Sequence, residues 1–370
     1  MTVQNRLAEL RTARGLSAAE MGSAAGVSRQ TIHAIEAGNY APNTAVALKL
    51  AQKLGVAVEE IFQLDEPAAE RATVQAELLD GAEAARTGAP VLLCRIDGRL
   101  MATGPESSDS SLPLADGILS AAAGKRNRSS VELFESSQSF ERRLLLAGCD
   151  PGASILARHM GRQGVDLVVA RRNSTQALDL LRSGAIHAAG CHIRDEKTGE
   201  SNLAAIGSRF RRQDVAVVSL AVWEEGLVFA KGNPKGIRTV ADLCRRDVSI
   251  VNREPGAGSR MLLDSRLRSL GVSHGNLRGY QRIALGHLAA ARLVQQGEAD
   301  CCIATSSAAR LLGLGFIPLA SARYDLVVRR RHLALPQMQA LFNTLALAAF
   351  RHELERMGGY DASVAGQRLM

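Results

Sequence analysis

The chain has 370 residues, 46% of them hydrophobic, with 45 Lys and Arg against 37 Asp and Glu and a formal net charge of +8. That length allows more than one domain with a proper core, and the hydrophobic content supports folding throughout. No run of about twenty apolar residues offers a membrane span, the N-terminus opens into a polar helix rather than a charged-then-apolar leader, and the six cysteines show neither a CxxC pair nor zinc-ligand spacing. These features predict a soluble cytoplasmic protein with reduced, mostly buried thiols, no membrane partner and no metal.

Residues 3–64 spell five short helices. Ser17 followed by Glu20 is a capping box for the second; Gly26 then turns the chain, and Ser28 caps the third. Ile32 and Ile35 face the core while Arg29, Gln30, Thr31 and His33 lie outward, which leaves the third helix free to enter a major groove. The run GLSAAEMGSAAGVSRQTIHAIEAGNYAPN, the positions Arg11 and Glu36, and LAQKLGV with Gly55 as a helix stop resemble the Xre and lambda-repressor-like helix-turn-helix family. The resemblance implies an Arg11–Glu36 ion pair and an operator of double-stranded DNA. It puts Arg29 and Gln30 on base edges, where arginine suits the two acceptors of guanine and glutamine the donor and acceptor of adenine. Thr31 and Asn39 would hold phosphates. A helical bundle used only for protein contact is the competing reading. Through Asp65 six Lys and Arg face six Asp and Glu. Affinity should therefore rest on a few placed contacts and two copies acting together, so a homodimer is expected.

Residues 66–87 are polar and alanine-rich, the composition of a linker or an exposed helix. APVLLCRIDGRLMAT reads as two strands meeting at Asp97-Gly98; TGPESSDSSLPLADG is loop-like, and GKRNRSSVELFES leads into another strand. The expected domains are 1–65, a linker and small connecting subdomain at 66–143, and a sensor at 144–370.

From Arg143 strands and helices alternate, the rhythm of a parallel sheet flanked by helices, ending in a long helix from about Pro336 to Met357. Two α/β lobes with two chain crossings describe the order. The pieces AGCDPGASILARHM, AIHAAGCHI, GLVFAKGNPKGIRTVADL, IVNREPGAGSRMLLD, RYDLVV and GGYD, in that order, resemble the periplasmic-binding-protein-like family of type two topology, and in particular the molybdate-binding-like domains fused behind helix-turn-helix modules. The predicted fold class is thus an all-α helix-turn-helix domain plus a two-lobed α/β binding domain.

In an open α/β sheet the ligand lies beyond the carboxyl ends of the strands, where helices begin. Four helix starts are candidates: Cys149–Ser154, Asn173–Thr175, Pro255–Arg260 and the approach to His287. Their free N–H groups favour an anion. Gly256 and Gly258 allow close backbone approach, Ser259 adds a hydroxyl and Arg260 a charged fork; a bland turn before a helix is the alternative. Asn173, Ser174 and Thr175 are the counterpart in the first lobe, or simple caps. Asp150 and Ser154 belong to the first helix start, and the resemblance adds His192 and Tyr324 as pocket-lining candidates. A metal site from Cys191, His192 and His187 is weighed against a structural or ligand-facing role for the histidines. From Leu146 onward thirty Lys and Arg face nineteen Asp and Glu, consistent with a small anionic effector.

The resulting expectation is a one-component transcription regulator, not an enzyme, with no cofactor beyond an effector oxyanion; molybdate or tungstate rests on the resemblance alone. An organic effector, or an enzyme or accessory protein of molybdenum-cofactor metabolism, stands as the alternative. Neither a catalytic triad nor a nucleotide loop is convincing.

Overall fold

The computed structural model describes residues 3–64, 72–79, 86–105, 112, 114–121, 127–135, 140–194 and 202–370. The chain divides into two units, Met1–Arg71 and Ala72–Met370.

The first unit runs β1 (Val3–Asn5), α1 (Leu7–Ala13), α2 (Ala18–Ala25), α3 (Arg29–Glu36), α4 (Thr44–Leu54), α5 (Val58–Ile61) and β2 (Phe62–Leu64). The capping box forms: Ser17 Oγ accepts from the Glu20 amide at 3.2 Å, and the Glu20 carboxylate accepts from the Ser17 amide at 2.7 Å. Gly26 ends α2 at φ 75°, a conformation that costs glycine little. Ser28 Oγ accepts from the Thr31 amide at 3.1 Å to start α3. Ile32 and Ile35 are buried with Leu7, Met21, Leu50, Leu54 and Ile61, so this unit has its own core. Arg11 Nε lies 2.6 Å from Glu36 Oε1, tying α1 to α3. Strand β1 pairs antiparallel with β2, joining the two ends of the unit; three residues each are too short to show an alternating pattern.

The second unit opens with β3 (Thr73–Leu78), β4 (Pro90–Ile96), β5 (Arg99–Thr103), β6 (Gly117–Leu119) and β7 (Arg128–Leu133). They close into a barrel in the order β3-β5-β4-β6-β7, with the β3–β5 pair parallel. A linker or exposed helix over 66–87 is therefore corrected at Thr73–Leu78, where Ala76 and Leu78 point inward at the period of two that a strand demands. The alternation itself, Val74, Ala76 and Leu78 against Thr73, Gln75 and Glu77, is present in the sequence, but the polar, alanine-rich composition of the whole stretch outweighs it. Residues 66–71 and 80–85, like residues 106–111 and 113 in the loop-like stretch, lie outside the described residues. The β4–β5 hairpin turns at Asp97 and Gly98 with φ of 48° and 77°, the left-handed pair that a two-residue turn requires.

The two lobes follow as β8 (Arg143–Gly148), α6 (Ala153–Gly161), β9 (Asp166–Arg171), α7 (Ser174–Ser183), β10 (Ala188–Cys191), α8 (Leu203–Gly207), β11 (Val215–Phe229), β12 (Asn252–Arg253), α9 (Gly258–Ser269), β13 (Ile283–Ala284), α10 (His287–Gln295), β14 (Cys301–Thr305), α11 (Ser306–Leu311), β15 (Gly315–Arg329), α12 (Pro336–Ala346), α13 (Ala348–Met357) and β16 (Tyr360–Asp361). The sheet order is β14-β11-β15-β10-β8-β9, with β16 also on β11. Strands β8, β9 and β10 are mutually parallel, while β11 and β15 run antiparallel along almost their whole length, with register shifts at Ser219/Ala221 and Glu225/Gly226. These two strands serve both lobes. One end of the pair packs in cores built on Leu144, Leu146, Met338 and Phe350 and on Leu145, Leu178 and Val327; the other packs with Leu263 and Ile303 and with Ala290 and Cys302. The expected long C-terminal helix is broken at Leu347, whose extended ψ of 124° separates α12 from α13.

The barrel docks on the first lobe through its hairpin. Asp97 bonds Arg331 at 2.6 Å and His332 at 2.9 Å. Beside it, buried His187 accepts the Leu145 amide proton on Nδ1 at 3.1 Å, with Cys94 Sγ 3.9 Å away. An acceptor Nδ1 needs the neutral ring, and burial, followed by the charge of His332, holds the imidazole down to about 4. The unfolded chain takes up this proton near the ordinary value of 6.5 and the folded chain only near 4, so stability is lost as pH falls through that window, by about 3 kcal/mol in total. His187→Asn, whose Oδ1 can accept the same amide proton, is expected to flatten the slope. Denaturant titrations at pH 7 and pH 4.5 check this, and an equal acid loss in the variant contradicts it.

Candidate functional site

The outer face of α3 forms one candidate surface. Arg29 and Gln30 begin the helix and are exposed, as are His33 and Asn39, while Thr31 is half-buried. Arg29 Nε donates to His33 Nε2 at 3.4 Å, and Thr31 Oγ1 meets Ser28 Oγ at 2.9 Å. The Glu36 carboxylate pairs with Arg11 and lies 3.4 Å from His33. Helix α3 is thus held from behind, with its first turn uncovered. All five DNA-binding candidates lie on or just beyond α3.

The second surface is a cavity of about 700 Å³ where the strands of both lobes end. Its polar wall includes Asp150, Ser154, Arg171, Arg172, Arg253 and His287; Ile155, Leu167, Leu285 and Met357 supply apolar wall, and Leu92, Pro105 and Leu114 of the barrel region close one side. The barrel thereby acquires a role that its sequence did not suggest. Asp150 Oδ1 accepts from the Gly152 amide at 2.9 Å and from Tyr360 Oη at 2.7 Å, and burial pushes its carboxyl upward.

Behind the cavity lies a buried polar cluster centred on Glu225, which the second register shift of β11 turns inward. Ser259 Oγ donates to Glu225 Oε1 at 2.8 Å, and His192 Nε2 stands 3.2 Å from the same oxygen. Burial disfavours charge on His192, yet Glu225 and Cys149 override it and lift the imidazole to about 10. Burial likewise opposes the Glu225 carboxylate, but His192 and Ser259 hold its pKa below the usual range. His287, facing Arg253 and His192, is driven well down by burial and their charges. Trp223 meets the His192 and Tyr324 rings at 5.1 and 4.8 Å. Tyr324 is buried, and a Cβ at Gly190 would overlap its ring, so glycine is required there.

The predicted ligand residues divide by position. Asp150 and Ser154 line the cavity. His192, Ser259 and Tyr324 lie in the buried cluster, and Gly258 packs against His192, which a Cβ would strike. Ser174 Oγ accepts from the His192 amide at 3.1 Å. Asn173 caps α7, accepting from the Gln176 amide, and also donates to Pro255 O at 3.2 Å; Thr175 Oγ1 donates to Gly256 O at 3.1 Å. These side chains therefore link the two lobes rather than standing free for a ligand. Arg260 is turned away: it donates to Arg253 O at 3.1 Å and lies over the Tyr280 ring at 4.8 Å. Its place on the cavity wall is taken by Arg253, whose guanidinium pairs with Glu254 at 3.0 Å and whose Nη1 has no hydrogen-bond partner among the described residues. Cys191, His192 and His187 do not converge: Cys191 enters the α7 core, and His187 lies at the barrel junction. Instead Cys149, His192 and His287 come together. Glu225 was not singled out by sequence; Cys149 bounded a candidate helix start and Arg253 lay in the NREPG turn, but neither was named as a site residue.

Among the described residues no helix is long and apolar enough to cross a membrane. Residues 7–61 match the helix-turn-helix family, and residues 157–346 match the family described as PBP superfamily domain. Protein YvgK of Bacillus subtilis is 30% identical over 228 residues, 61% of this chain and 73% of its own length. The HTH-type transcriptional regulator YgzD of the same organism is 39% identical over 64 residues, 17% of this chain and 97% of its own. A substrate-binding protein of Clostridium perfringens solved with bound phosphate aligns over 59% of this chain and 98% of its own at 14% identity and a TM-score of 0.44, too distant to speak to the ligand. The chain belongs to the PBP superfamily domain family and carries that domain behind an N-terminal helix-turn-helix of the Xre-like type, as a helix-turn-helix transcriptional regulator fused to a ligand-binding domain.

Proposed function

We propose that this protein is a cytoplasmic one-component regulator that binds operator DNA as a homodimer and whose second unit senses a small anion. The observation that carries the ligand class is Arg253, buried on the cavity wall with Nη1 unpaired among the described residues. An unpaired buried guanidinium N–H is costly, and an anion entering the cavity would satisfy it with a charge-assisted bond. Arg171 and Arg172 add positive charge to the same wall. The reading is one of binding, not catalysis.

Molybdate or tungstate is the compact form of this ligand. A second reading, an organic anion, is favoured by the cavity's 700 Å³ and its leucine-rich wall, which suit a ligand with an apolar body.

For the DNA face, Arg29→Ala is expected to weaken operator binding by about 1 to 3 kcal/mol and to relax preference at one base pair. Footprinting and selection from random duplexes check it; undiminished affinity and preference in the variant would remove Arg29 from base reading.

For the ligand, calorimetry of the full chain with molybdate, tungstate, sulfate, phosphate and a set of small carboxylates gives the comparison. Arg253→Gln is expected to weaken the tightest-bound anion by about tenfold or more, the loss of one charge-assisted hydrogen bond. Heat with carboxylates alone selects the organic reading. No heat with any anion contradicts the ligand class.

A further inference from the structure

Cys149 follows β8, His192 follows β10 and His287 opens α10, yet their ligating atoms all lie within 4.8 Å of one another. Cys149 Sγ is 3.7 Å from His192 Nδ1 and 3.8 Å from His287 Nε2. Around a tetrahedral zinc ion, sulfur and nitrogen ligands stand about 3.5 Å apart, given the usual Zn–S and Zn–N lengths. The two sulfur–nitrogen separations exceed this by a few tenths of an ångström, and the two ligating nitrogens lie within 4.8 Å of each other, so the histidines close in on the ion when it binds.

The other nitrogen of each histidine faces a polar group, although His192 Nε2 closes no hydrogen bond among the described residues. His192 Nε2 faces Glu225 Oε1 at 3.2 Å, and His287 Nδ1 faces Ser259 Oγ at 3.5 Å, while Ser259 itself donates to Glu225. Metal-bound imidazoles are oriented by such partners on their far side. Ser174 Oγ, 3.4 Å from His192 Nδ1, is the nearest competitor for the inward nitrogen; it accepts from the His192 amide, and its own O–H is the donor that a metal at Nδ1 displaces. Charge is balanced as well. A thiolate at Cys149 and the Glu225 carboxylate offset a dication, while the nearby Arg253 is offset by Glu254 at 3.0 Å.

We propose that Cys149, His192 and His287 form a three-ligand site for a divalent cation of the zinc class. Its fourth position opens on the cavity, which Cys149 and His287 both line. Sulfur with two imidazoles selects zinc and its neighbours over magnesium or calcium, and three protein ligands with one position open is the pattern of a zinc site that takes an exogenous ligand. The anion of the preceding section would bind there, and that consequence rests on the anion reading; the metal site itself does not.

The test uses the full-length protein, stripped of metal and with no added anion, so that its failure leaves the anion reading untouched. Zinc at one equivalent is expected to protect Cys149 from iodoacetamide, read by peptide mass spectrometry, while the half-buried Cys244 reacts at an unchanged rate. Cobalt(II) in place of zinc is expected to give a thiolate charge-transfer band at one equivalent per chain, absent in Cys149→Ser. Glu225→Gln should weaken zinc by roughly 10- to 100-fold. The protection experiment needs no variant, so a misfolded substitution does not blunt it. Unchanged Cys149 alkylation with zinc, or a charge-transfer band that survives in Cys149→Ser, overturns the proposal.

Discussion

Glu225 is a carboxylate withdrawn from water at the point where the two long strands serve both lobes. Left alone there it would carry a penalty of many kcal/mol, so the fold must bring compensating groups to it. They come from opposite sides: His192 follows β10 of the first lobe, and Ser259 lies on α9 of the second. Meeting that demand draws the helix starts of both lobes together, and the Asn173 and Thr175 bonds to the Pro255 and Gly256 carbonyls follow from the same approach. Removing one partner of such a buried pair costs about 3 to 5 kcal/mol, mostly as the stranded charge of the other. The approach of the lobes and the electrostatics of the site are therefore one problem with one solution.

The helix-turn-helix was legible because its information is local. A hydroxyl three residues before a carboxylate, a glycine at a helix end, and isoleucines at helical spacing each act within one or two turns, and each reappears in the structure. The alternation of strands and helices after Arg143 was legible for a similar reason. The barrel's closure was not, since β3 pairs with strands far along the chain, which no local pattern marks, although the β4–β5 hairpin itself was read. The long terminal helix was misread at Leu347, where every side chain suits a helix and only the backbone of Leu347 departs.

The cavity and the buried cluster lay between these extremes. Helix starts could be located, so the neighbourhood of Asp150, Ser174 and Ser259 was found in advance. Which arginine faces inward could not, because Arg253 and Arg260 flank the same glycine turn and only the β12–α9 geometry separates them. Cys149 and His287 are 138 residues apart, and although each sits at a helix start that sequence picks out, nothing local says that the two meet. Convergence of this kind is a property of the closed fold.

The helix-turn-helix unit has balanced charge through Asp65, so in the proposed homodimer its hold on an operator rests on placed contacts and on how two copies present α3. That dependence makes it a suitable output for a sensor: a ligand that favours one arrangement of the second unit can alter presentation without touching DNA, and linkage then requires operator and ligand to affect each other's affinity equally. The most direct measurement is a titration of operator DNA against the full chain and against residues 1–64, which have a core of their own, each with and without the tightest-binding anion. The account predicts that the anion shifts DNA affinity of the full chain and leaves the fragment unchanged. Equal DNA affinity of the full chain in both conditions would contradict it.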